Sequence, residues 1–589
     1  MIDALRRENI FTELDLPDAT NLMVAGVSSA AEVTIGRCPF LSKQGVTSEA
    51  DYKRNAARQG RLMHHAQVGW RDPDLTARNI AEISNRIEAA GGYVDRYGIC
   101  LDWSMGYPPD EREGRARGTG LVLRTDEDFT LIANASNGAP HFGDFVIGMP
   151  AAVENTIAAL RAGATSIGNL GQYFTFRLPD WDDDVMITSK TVEAITLCAA
   201  MPSEIIIHSN MDDGFAARFS DLACALGAVL LEKHIVEGLL GARIGHCFGH
   251  TFSNLVSRQA FHMALNKITQ TPGTMIYGNT TAFTENEAES YAALAAYLSA
   301  DMAALHWAPS GHALTPIPVT EARRIPTVDE IIDAHLFSHK LAERFEGTWD
   351  DEPPFHVMKL AEQLVENGQS FFDNTMSGMV SLGYNTEDPF EMLLALRRIG
   401  AGELERAFGP GEIDANSYYG RAPVVASSVV HEIFDQAQRI VDGVPTDVRE
   451  QLSQRAPRIC LATTDVHEYG KRLVEQVLGK LGVDAIDGGI SVDPDDLVQQ
   501  AIEANADVIA LSTYNGIAES YIERLVDEIS KSGRSFEIFV GGRLNAVPEG
   551  SNTGLPVDVE KALAVKGVVA CGCVEDMLIK LSANATKEI

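Results

Sequence analysis

A histidine and an aspartate two positions apart offer the clearest chemistry in this sequence. Asp465, His467 and Gly470 form the pattern Asp-x-His-x-x-Gly. A carboxylate that holds one nitrogen of an imidazole leaves the other nitrogen for a metal ion, and a glycine lets a bulky group approach the backbone. Alone, this short pattern also fits an ordinary hydrogen bond at the protein surface. The sequence around it therefore has to decide between the two interpretations.

That surrounding sequence places the motif on a turn between a strand and a helix. Residues 458–463 are an apolar run typical of a buried strand, and the apolar residues of 471–481 recur at helical spacing. Residues 507–511 and 536–540 predict two further strands, which end at Ser512 and at Gly541. Because open α/β sheets bind ligands at the carboxyl ends of their strands, we expect a ligand site there.

The succession of Asp-x-His-x-x-Gly, Ser512 and Gly541-Gly542 resembles the cobalamin-binding domain of mutases and corrinoid methyltransferases, over residues 458–585. The resemblance implies a Rossmann-like (flavodoxin-like) domain in which His467 is the metal ligand, bound to the cobalt of cobalamin. It also implies that the nucleotide tail of the cofactor lies between the sheet and the helices. The cofactor-binding residues predicted on this basis are Asp465, His467, Gly470, Ser512, Thr513, Gly516, Gly541, Gly542 and Gly572.

Composition narrows the class of protein. The chain has 589 residues, a formal net charge of −34 and eight cysteines. Because a protein this acidic would repel nucleic acid, we expect no nucleic-acid partner. The sequence has no apolar run long enough to span a membrane and no signal peptide at its start, which predicts a cytoplasmic protein with no membrane partner. The scattered cysteines predict free thiols.

Upstream of the motif, short apolar runs alternate with helical segments, which predicts a parallel sheet. About eight such units indicate a (β/α)8 TIM-like barrel, although a doubly wound open sheet also fits the pattern. The predicted strands are residues 93–101, 121–123, 145–147, 166–168, 204–207, 242–245, 274–277 and 303–306. We predict four parts: an N-terminal arm (1–60), a TIM-barrel catalytic domain (61–325), a mainly helical connecting region (326–455) and the cobalamin-binding domain (456–589).

Residues at the carboxyl ends of barrel strands are the candidates for catalysis. His208 and His246 follow two predicted strands, and Asn169 and Tyr173 follow another. Residues 143–341 resemble the catalytic subunit of glutamate mutase and related carbon-skeleton mutases such as 2-methyleneglutarate mutase. This resemblance implies that Glu232 is a catalytic residue. We predict Glu232, His208 and His246 as catalytic, and Arg177, Tyr173 and Asn169 as substrate-binding.

The same resemblance argues against glutamate as the substrate. Glutamate mutase binds the two substrate carboxylates with three arginines, and only the neighbourhood of Arg177 retains one here. Neither histidine nor isoleucine replaces the two-pronged hydrogen bonding of a guanidinium. Arg112, Arg115 and Arg117 form a basic loop that either binds a carboxylate or is simply solvated. We therefore expect a small organic acid other than glutamate.

Taken together, these features predict an adenosylcobalamin-dependent isomerase, a mutase that rearranges the carbon skeleton of a small organic acid by radical chemistry. A corrinoid-dependent methyltransferase that uses methylcobalamin is the alternative, because such proteins place a helical cap before the same motif. A corrinoid-binding sensor is a third possibility. Since twofold assembly is common among soluble enzymes, we expect a homodimer or higher homo-oligomer. A reactivating chaperone is the other partner expected for such a mutase.

Overall fold

The computed structural model describes residues 2–115, 118–284, 286–465, 467–514, 516–546 and 556–583. The chain forms two compact units. The first contains Met1–Ala116, Gly120–Thr175 and Asp183–Ser428, and the second contains Arg117–Thr119, Phe176–Asp182 and Val429–Ile589. The division at residue 428 falls inside the predicted connecting region, and the four-part division of the chain stays a prediction. No described helix has the length and apolar character needed to cross a membrane.

Eight parallel strands form the sheet of the first unit. They are β1 (Met63–Val68), β2 (Arg96–Ile99), β3 (Ala139–Phe142), β4 (Ser166–Ile167), β5 (Ile206–Asn210), β6 (Arg243–Cys247), β7 (Met275–Ile276) and β8 (Ala313–Leu314). Their spatial order is β6-β5-β4-β3-β2-β1-β8-β7. Between β6 and β7, the backbone N–H of Tyr277 donates to the carbonyl of Phe248 at 2.7 Å. This bridge closes the sheet, which confirms the predicted (β/α)8 TIM-like barrel.

Helices surround this barrel because their apolar residues recur at helical spacing. In the helix that follows β1, Ile80, Ile83 and Ile87 are fully buried, and Asp72 caps the first turn by accepting from the N–H of Leu75 at 2.7 Å. The helices of the first unit are α1 (Arg7–Ile10), α2 (Ala19–Ala31), α3 (Pro39–Lys43), α4 (Glu49–Arg58), α5 (Pro73–Ala89), α6 (Asp126–Ala133), α7 (Ala152–Arg161), α8 (Leu170–Thr175), α9 (Asp184–Ala199), α10 (Leu222–Lys233), α11 (Leu255–Ile268), α12 (Glu287–Trp307), α13 (Val328–Phe345), α14 (Phe355–Ser381) and α15 (Pro389–Phe408).

Three of the predicted strands are wrong. Residues 303–306 belong to the end of α12, since a long helix buried on several sides is as apolar as a strand. Residues 145–147 follow the true strand β3, whose Pro140 and His141 interrupt the apolar pattern. Residues 121–123 contribute a single bridge, from Leu121 to Leu101. The strand β1 escaped prediction for the same reason as β3, because it contains two histidines.

A buried ion network closes the barrel at the amino ends of its strands. The Arg96 guanidinium donates to the Glu49 carboxylate at 2.7 Å, and the ammonium of Lys53 lies 3.6 Å from the same carboxylate. Lys53 also donates to the carbonyls of Thr274 and Gly311, at 2.8 and 2.9 Å. These paired charges fill the lower lumen. The carboxyl ends of the strands, where barrels of this type carry their active sites, are therefore the end that can admit a ligand.

The second unit is a parallel sheet with helices on both faces. Its strands are β9 (Arg458–Thr463), β10 (Asp484–Gly489), β11 (Val508–Thr513), β12 (Glu537–Gly542), the short antiparallel pair β13 (Asn545–Ala546) and β14 (Val557–Asp558), and β15 (Val569–Cys571). The parallel sheet has the order β10-β9-β11-β12-β15, which is the flavodoxin-like order. This confirms the predicted Rossmann-like fold and the predicted strands β9, β11 and β12.

Alternate residues of these strands pack against different helices. The helices are α16 (Ser428–Gly443), α17 (Thr446–Arg455), α18 (Tyr469–Leu481), α19 (Pro494–Glu503), α20 (Ala518–Ser532), α21 (Glu560–Val565) and α22 (Val574–Ala583). In β9, Ile459 and Leu461 pack with α16, α17, α18 and α22, whereas Cys460 and Ala462 pack with α19, α20 and α21. Because the strands are buried on both faces, they are continuously apolar in sequence.

Candidate functional site

His467 lies in the turn between β9 and α18, at the carboxyl end of the sheet. The strand order reverses between β9 and β11, and this is the point at which open sheets of this kind bind ligands. The Asp465 carboxylate accepts two hydrogen bonds from His467, one from the backbone N–H at 2.9 Å and one from Nδ1 at 2.8 Å. A proton on Nδ1 leaves the lone pair of the neutral ring on Nε2, which is then the metal-binding atom.

Asp465 is fully buried and is fixed from a second direction. Its other carboxylate oxygen accepts from the backbone N–H of Tyr514, at 2.8 Å. Burial opposes ionisation of this carboxyl, but the contacts with His467 and Tyr514 outweigh burial and lower the pKa of Asp465 below its usual value. The carboxylate therefore remains ionised and holds the imidazole in one tautomer.

An aromatic side chain also restrains the imidazole. The ring of Tyr514 stacks on the ring of His467, with 4.3 Å between centroids and an angle of 28° between planes. The Arg543 guanidinium lies 4.0 Å from the centroid of the Tyr514 ring, within the range of a cation–π contact. Tyr514 thus contacts the histidine through its ring and the aspartate through its backbone, and both contacts limit how the imidazole can turn.

A cavity of about 260 Å³ lies in this unit, between the sheet and the helices α16, α18 and α22. Its walls are mostly apolar, and include the side chains of Ile440, Leu473 and Phe539. Mostly apolar walls with a few polar groups are typical of cofactor sites. The predicted cofactor-binding residues that line it are Gly470, Ser512, Gly541, Gly542 and Gly572.

Two of these glycines keep space open instead of relieving a clash. A Cβ atom on Gly541 would lie no closer than 3.5 Å to any other described protein atom, and one on Gly572 would have no described atom within 4 Å. Side chains at these positions would therefore occupy the cavity. Gly542 is different, because its φ is +101° and a Cβ atom would lie 2.2 Å from the Thr513 carbonyl oxygen. The backbone itself requires glycine there.

Thr513 and Gly516 lie near the motif but outside the described lining of the cavity. Thr513 is buried, and its hydroxyl accepts from the hydroxyl of Thr464 at 2.8 Å. Gly516 has a φ of +72° in the turn that follows β11. Both residues thus shape the backbone that holds Asp465 and His467. Their predicted contact with a cofactor stays a prediction.

In the barrel, Glu232 and His246 contact each other, but not the lumen. The Glu232 carboxylate accepts from the hydroxyl of Ser209 at 3.0 Å and lies 2.9 Å from Nε2 of His246. Glu232 belongs to α10, one of the surrounding helices, so the neighbouring side chains of Ser209 and His246 point outward from β5 and β6. This geometry favours a structural role for the trio, between sheet and helix.

His208 points inward, because side chains alternate along β5 and Ser209 points outward. Its Nδ1 lies 2.9 Å from the hydroxyl of Thr274, and its ring meets that of His141 edge-on at 4.7 Å between centroids. Burial and the positive charge of Arg96 depress the pKa of His208 well below its usual value. His208 is therefore a neutral side chain in the middle of the lumen.

Asn169 and Tyr173 follow β4, as predicted, and both make side-chain hydrogen bonds within the protein, whereas the buried Nδ2 of Asn169 has no partner among the described residues. The Asn169 side-chain carbonyl accepts from the backbone N–H groups of Gly171 and Asn210, each at 2.9 Å. The Tyr173 hydroxyl lies 2.6 Å from the hydroxyl of Thr188 in α9. Tyr173 thus packs against the outer helices. Asn169 secures the loops at the carboxyl ends of β4 and β5.

The arginines expected to bind a carboxylate are also engaged. Arg177 belongs to the second unit, where it pairs with Asp182 and with Asp496, the latter at 2.9 Å. In the first unit, Arg112 donates to Asn155 at 2.6 Å and to backbone carbonyls. Arg115 lies over the ring of Tyr107, and Arg117 lies outside the described residues. Arg177 and Arg112 thus make contacts that stabilise the protein itself. A carboxylate-binding role for Arg177 stays a prediction.

The carboxyl end of the barrel presents side chains that the sequence analysis missed. We call them the mouth residues: Gln67, Cys100, Asp144, Asp213, Tyr277 and Glu321. All are partly exposed, and each lies at the end of a barrel strand or in the loop that follows it. The sequence held a usable signal, since acidic residues follow β3, β5 and β8. That signal depended on placing β3 and β8 correctly.

The mouth residues lie close enough to interact with one another. Gln67 donates to the thiol of Cys100 at 3.0 Å, and the Gln172 amide reaches the Asp144 carboxylate at 3.4 Å. Burial, together with the charges of the mouth carboxylates, raises the pKa values of both Cys100 and Tyr277 well above their usual range. Burial and the charge of Asp213 raise the pKa of Asp144 to about 7. The open end of the barrel is therefore acidic and rich in hydrogen-bond acceptors.

Comparison with known proteins agrees with the geometry of the second unit. Residues 459–560 match the family model described as the B12 binding domain. The chain is 30% identical over 138 residues to the methylmalonyl-CoA mutase large subunit of Propionibacterium freudenreichii subsp. shermanii, which is 23% of this chain and 18% of that protein. It is 31% identical over 81 residues to glutamate mutase sigma subunit 1 of Haloarcula marismortui, which is 14% of this chain and 54% of that protein.

These matches span less than two thirds of either relative, so they identify a domain and not a whole enzyme. The family match covers β9, β11 and β12, and with them the Asp465–His467 pair and most of the cavity lining. The resemblance predicted from the sequence motifs is thereby confirmed. The C-terminal part of this chain is a B12-binding domain, and two of the chain's relatives are mutases.

Proposed function

We propose that this protein is an adenosylcobalamin-dependent isomerase, which rearranges the carbon skeleton of a small molecule by radical chemistry. The observation that carries the proposal is the pairing of His467 with a buried, ionised Asp465 at the point where the strand order of the sheet reverses. The similarity to two mutases supports the choice of isomerase. The barrel of the first unit, with its lumen closed at one end, supports a catalytic role for the rest of the chain.

The residues present fit the cofactor. His467 offers one imidazole nitrogen as a ligand for cobalt, while Asp465 occupies the other. The cavity lined by Gly541 and Gly572 offers mostly apolar space for a nucleotide tail. Adenosylcobalamin, when bound, supplies the radical chemistry that ordinary side chains lack. The protein's own tasks are to hold the imidazole in one tautomer and to keep water away from the reacting groups.

The helices before the motif weigh against a methyltransferase. A helical cap ahead of Asp-x-His-x-x-Gly was the main reason to consider that alternative. Between residues 429 and 457, all of which are described, the second unit contains only α16 and α17. Both helices pack on the sheet as part of its core. The helices α13, α14 and α15 belong to the barrel unit, so they do not form a separate cap.

Cobalamin ligation provides the first test. The purified protein is loaded with cobalamin, reduced to the cobalt(II) state and examined by electron paramagnetic resonance, with unlabelled and with isotopically labelled histidine. We expect nitrogen hyperfine splitting that changes with the histidine label. Splitting that ignores the label would contradict ligation by His467. The upper ligand separates the functions, since turnover with adenosylcobalamin supports the isomerase, whereas a requirement for a methyl donor supports methyl transfer.

The substrate and the assembly belong to the same proposal. We propose that glutamate is not converted to 3-methylaspartate, because the arginines available to hold two carboxylates are engaged elsewhere. Incubation of the loaded protein with glutamate tests this, and turnover at ordinary enzyme rates would contradict it. We also propose a homodimer or higher homo-oligomer, which light scattering of the full chain will test.

A further inference from the structure

The mouth of the barrel has the wrong charge for a site that binds a dicarboxylate. Among the described residues at the carboxyl ends of the strands, Asp144, Asp213 and Glu321 are acidic. Arg71, three positions beyond β1, is the arginine or lysine closest in sequence to a strand end there. Even when Arg71 is counted, the formal charge of this edge is negative. Two carboxylates of a substrate would be repelled unless several cations were added.

A buried histidine beneath the mouth also favours a ligand that donates hydrogen bonds. His141 is 2% exposed, and its Nε2 has no hydrogen-bond partner among the described residues. The ring leans along β3 toward the mouth, because an added Cβ on Gly143 would lie 2.5 Å from Nε2. Gly143 immediately follows β3, on the same inward side as His141. The absence of a side chain at Gly143 is what gives the imidazole this space.

The protonation state of His141 makes Nε2 an acceptor. The Nδ1 atom lies 3.0 Å from the carbonyl oxygen of Ser166 and 3.1 Å from the Ser166 hydroxyl oxygen. A carbonyl oxygen can only accept, and two lone pairs so close would repel, so the carbonyl contact assigns the proton to Nδ1. Burial and the charge of Arg96 depress the pKa of His141 well below its usual value, so the ring is neutral. The free lone pair on Nε2 therefore needs a donor from a bound molecule. This observation is independent of the acidic residues above it.

We propose that the barrel mouth binds a small molecule through a protonated amine, with Asp144 and Asp213 as its carboxylate partners and His141 as a neutral acceptor. This inference rests on the proposed isomerase function and names its substrate class. An ammonium group has three N–H donors and no acceptor. It therefore matches a site composed of carboxylates, a phenol, a thiol and an imidazole lone pair. The organic acid expected from the sequence is compatible only if it also carries an amino group.

Calorimetric titration of the full chain tests the inference, in phosphate buffer because amine buffers would compete. The probes are 1,3-diaminopropane and 2-aminoethanol as cations, and glutarate as a dicarboxylate of similar size. We expect the amines to bind and glutarate to bind at least about tenfold more weakly. Asp144→Asn and Asp213→Asn should each weaken amine binding by about tenfold or more, since each removes a charge-assisted hydrogen bond. Glutarate that binds as tightly as the amines would overturn the inference.

A matched control isolates the effect of position. Glu127→Gln neutralises an exposed carboxylate on the outer helix α6, so amine binding should be unchanged. Equal weakening by Glu127→Gln and Asp144→Asn would mean that amines bind the acidic surface in general, which also overturns the inference. Circular dichroism establishes that each variant is folded. Because the titration uses protein without cobalamin, failure of the unmodified protein to bind cobalamin would contradict the isomerase proposal without affecting the amine result.

Discussion

The two proposed ligand sites of this protein are specified in different ways. In the second unit, Asp465 and His467 are separated by one residue and contact each other directly. In the barrel, Asp144, Asp213, Tyr277 and their neighbours come from loops far apart in sequence. The Asp465–His467 pair of the first site depends on one turn, whereas the second site exists only when the sheet closes. A local motif can therefore identify the first site, but only the complete topology identifies the second.

The comparison also shows what each site demands of its ligand. The B12-binding domain offers one imidazole nitrogen and a mostly apolar cavity, so it selects a group by coordination and shape. The barrel mouth offers carboxylates and an imidazole lone pair, so it selects by charge and by hydrogen-bond donors. Changes at the two sites should consequently have separable effects, and the predictions below depend on that separation.

The largest effect is expected from His467→Ala. This change removes the proposed imidazole ligand, so we expect cobalamin affinity to fall by more than about a hundredfold, beyond the range typical of changes to groups that only orient a ligand. The dependence of the nitrogen splitting on the histidine label should disappear from the electron paramagnetic resonance spectrum. Amine binding at the barrel mouth should be unchanged. A loss of both ligands would contradict the separation of the two sites.

A smaller loss is expected when the cavity is filled. Gly541→Leu places a side chain in the space between the sheet and the helices, and cobalamin affinity should fall by about tenfold to a hundredfold, as for other overpacked sites. Gly479→Leu is the matched control, because it lies on the exposed face of α18 and a Cβ atom there meets no described atom within 4 Å. Equal affinities for the two variants, measured by absorbance titration, would rule out the cavity as the binding space.

Much of the second unit could be predicted because its signals are local. The strand β9 is a continuous apolar run, and the motif that follows it fixes Asp465 beside His467 whatever the rest of the chain does. The stack of Tyr514 on His467 could not be predicted, since it depends on the reversal of strand order between β9 and β11. Sequence proximity thus explains the pair, and sheet topology explains its support.

The barrel was predictable as a fold, but much less so as a site. Glu232 and His246 lie close together, yet the two-residue alternation of β6 directs His246 outward. A shift of one residue along a strand moves a side chain from the lumen to the outer layer, and the apolar pattern of the sequence alone did not fix that register. Asp144 was not predicted as a site residue because Pro140 and His141 interrupt the apolar pattern of β3, so the strand reads as a loop in the sequence. Polar residues in the lumen are thus what made this strand hard to recognise.

Replacing Glu232 tests the outward placement. Glu232→Gln removes the charge and one acceptor from the buried contact with His246 and Ser209, so the free energy of unfolding should fall by about 1 to 3 kcal/mol. Chemical denaturation followed by circular dichroism measures this change. Glu362→Gln, an exposed replacement of the same kind, should change stability by less than about 0.5 kcal/mol. Amine and cobalamin binding should be unchanged in Glu232→Gln. Loss of amine binding without loss of stability would instead show that Glu232 contributes to the ligand site.

The smallest effect expected is a dependence of amine binding on pH. The pKa of Asp144 is about 7, because burial and Asp213 both disfavour its charge. The groups facing it are Asp213, Glu321, Cys100 and Tyr277; burial raises the pKa values of the last two, so they stay neutral near pH 7. An ammonium group prefers the ionised carboxylate, so affinity should rise by about tenfold between pH 6 and pH 8 and then level off.

Aliphatic amines keep their proton throughout this range, so the rise has to come from the protein. Asp144→Asn should flatten the profile, because the group that loses its proton is gone, and the affinity should stay low at every pH. Titrations at several pH values with 1,3-diaminopropane measure both profiles. An affinity that falls as the pH rises, or a slope that survives in Asp144→Asn, would show that another group controls binding. The acidic mouth would then have no direct part in holding the amine, and the contrast between the two sites would rest on the B12-binding domain alone.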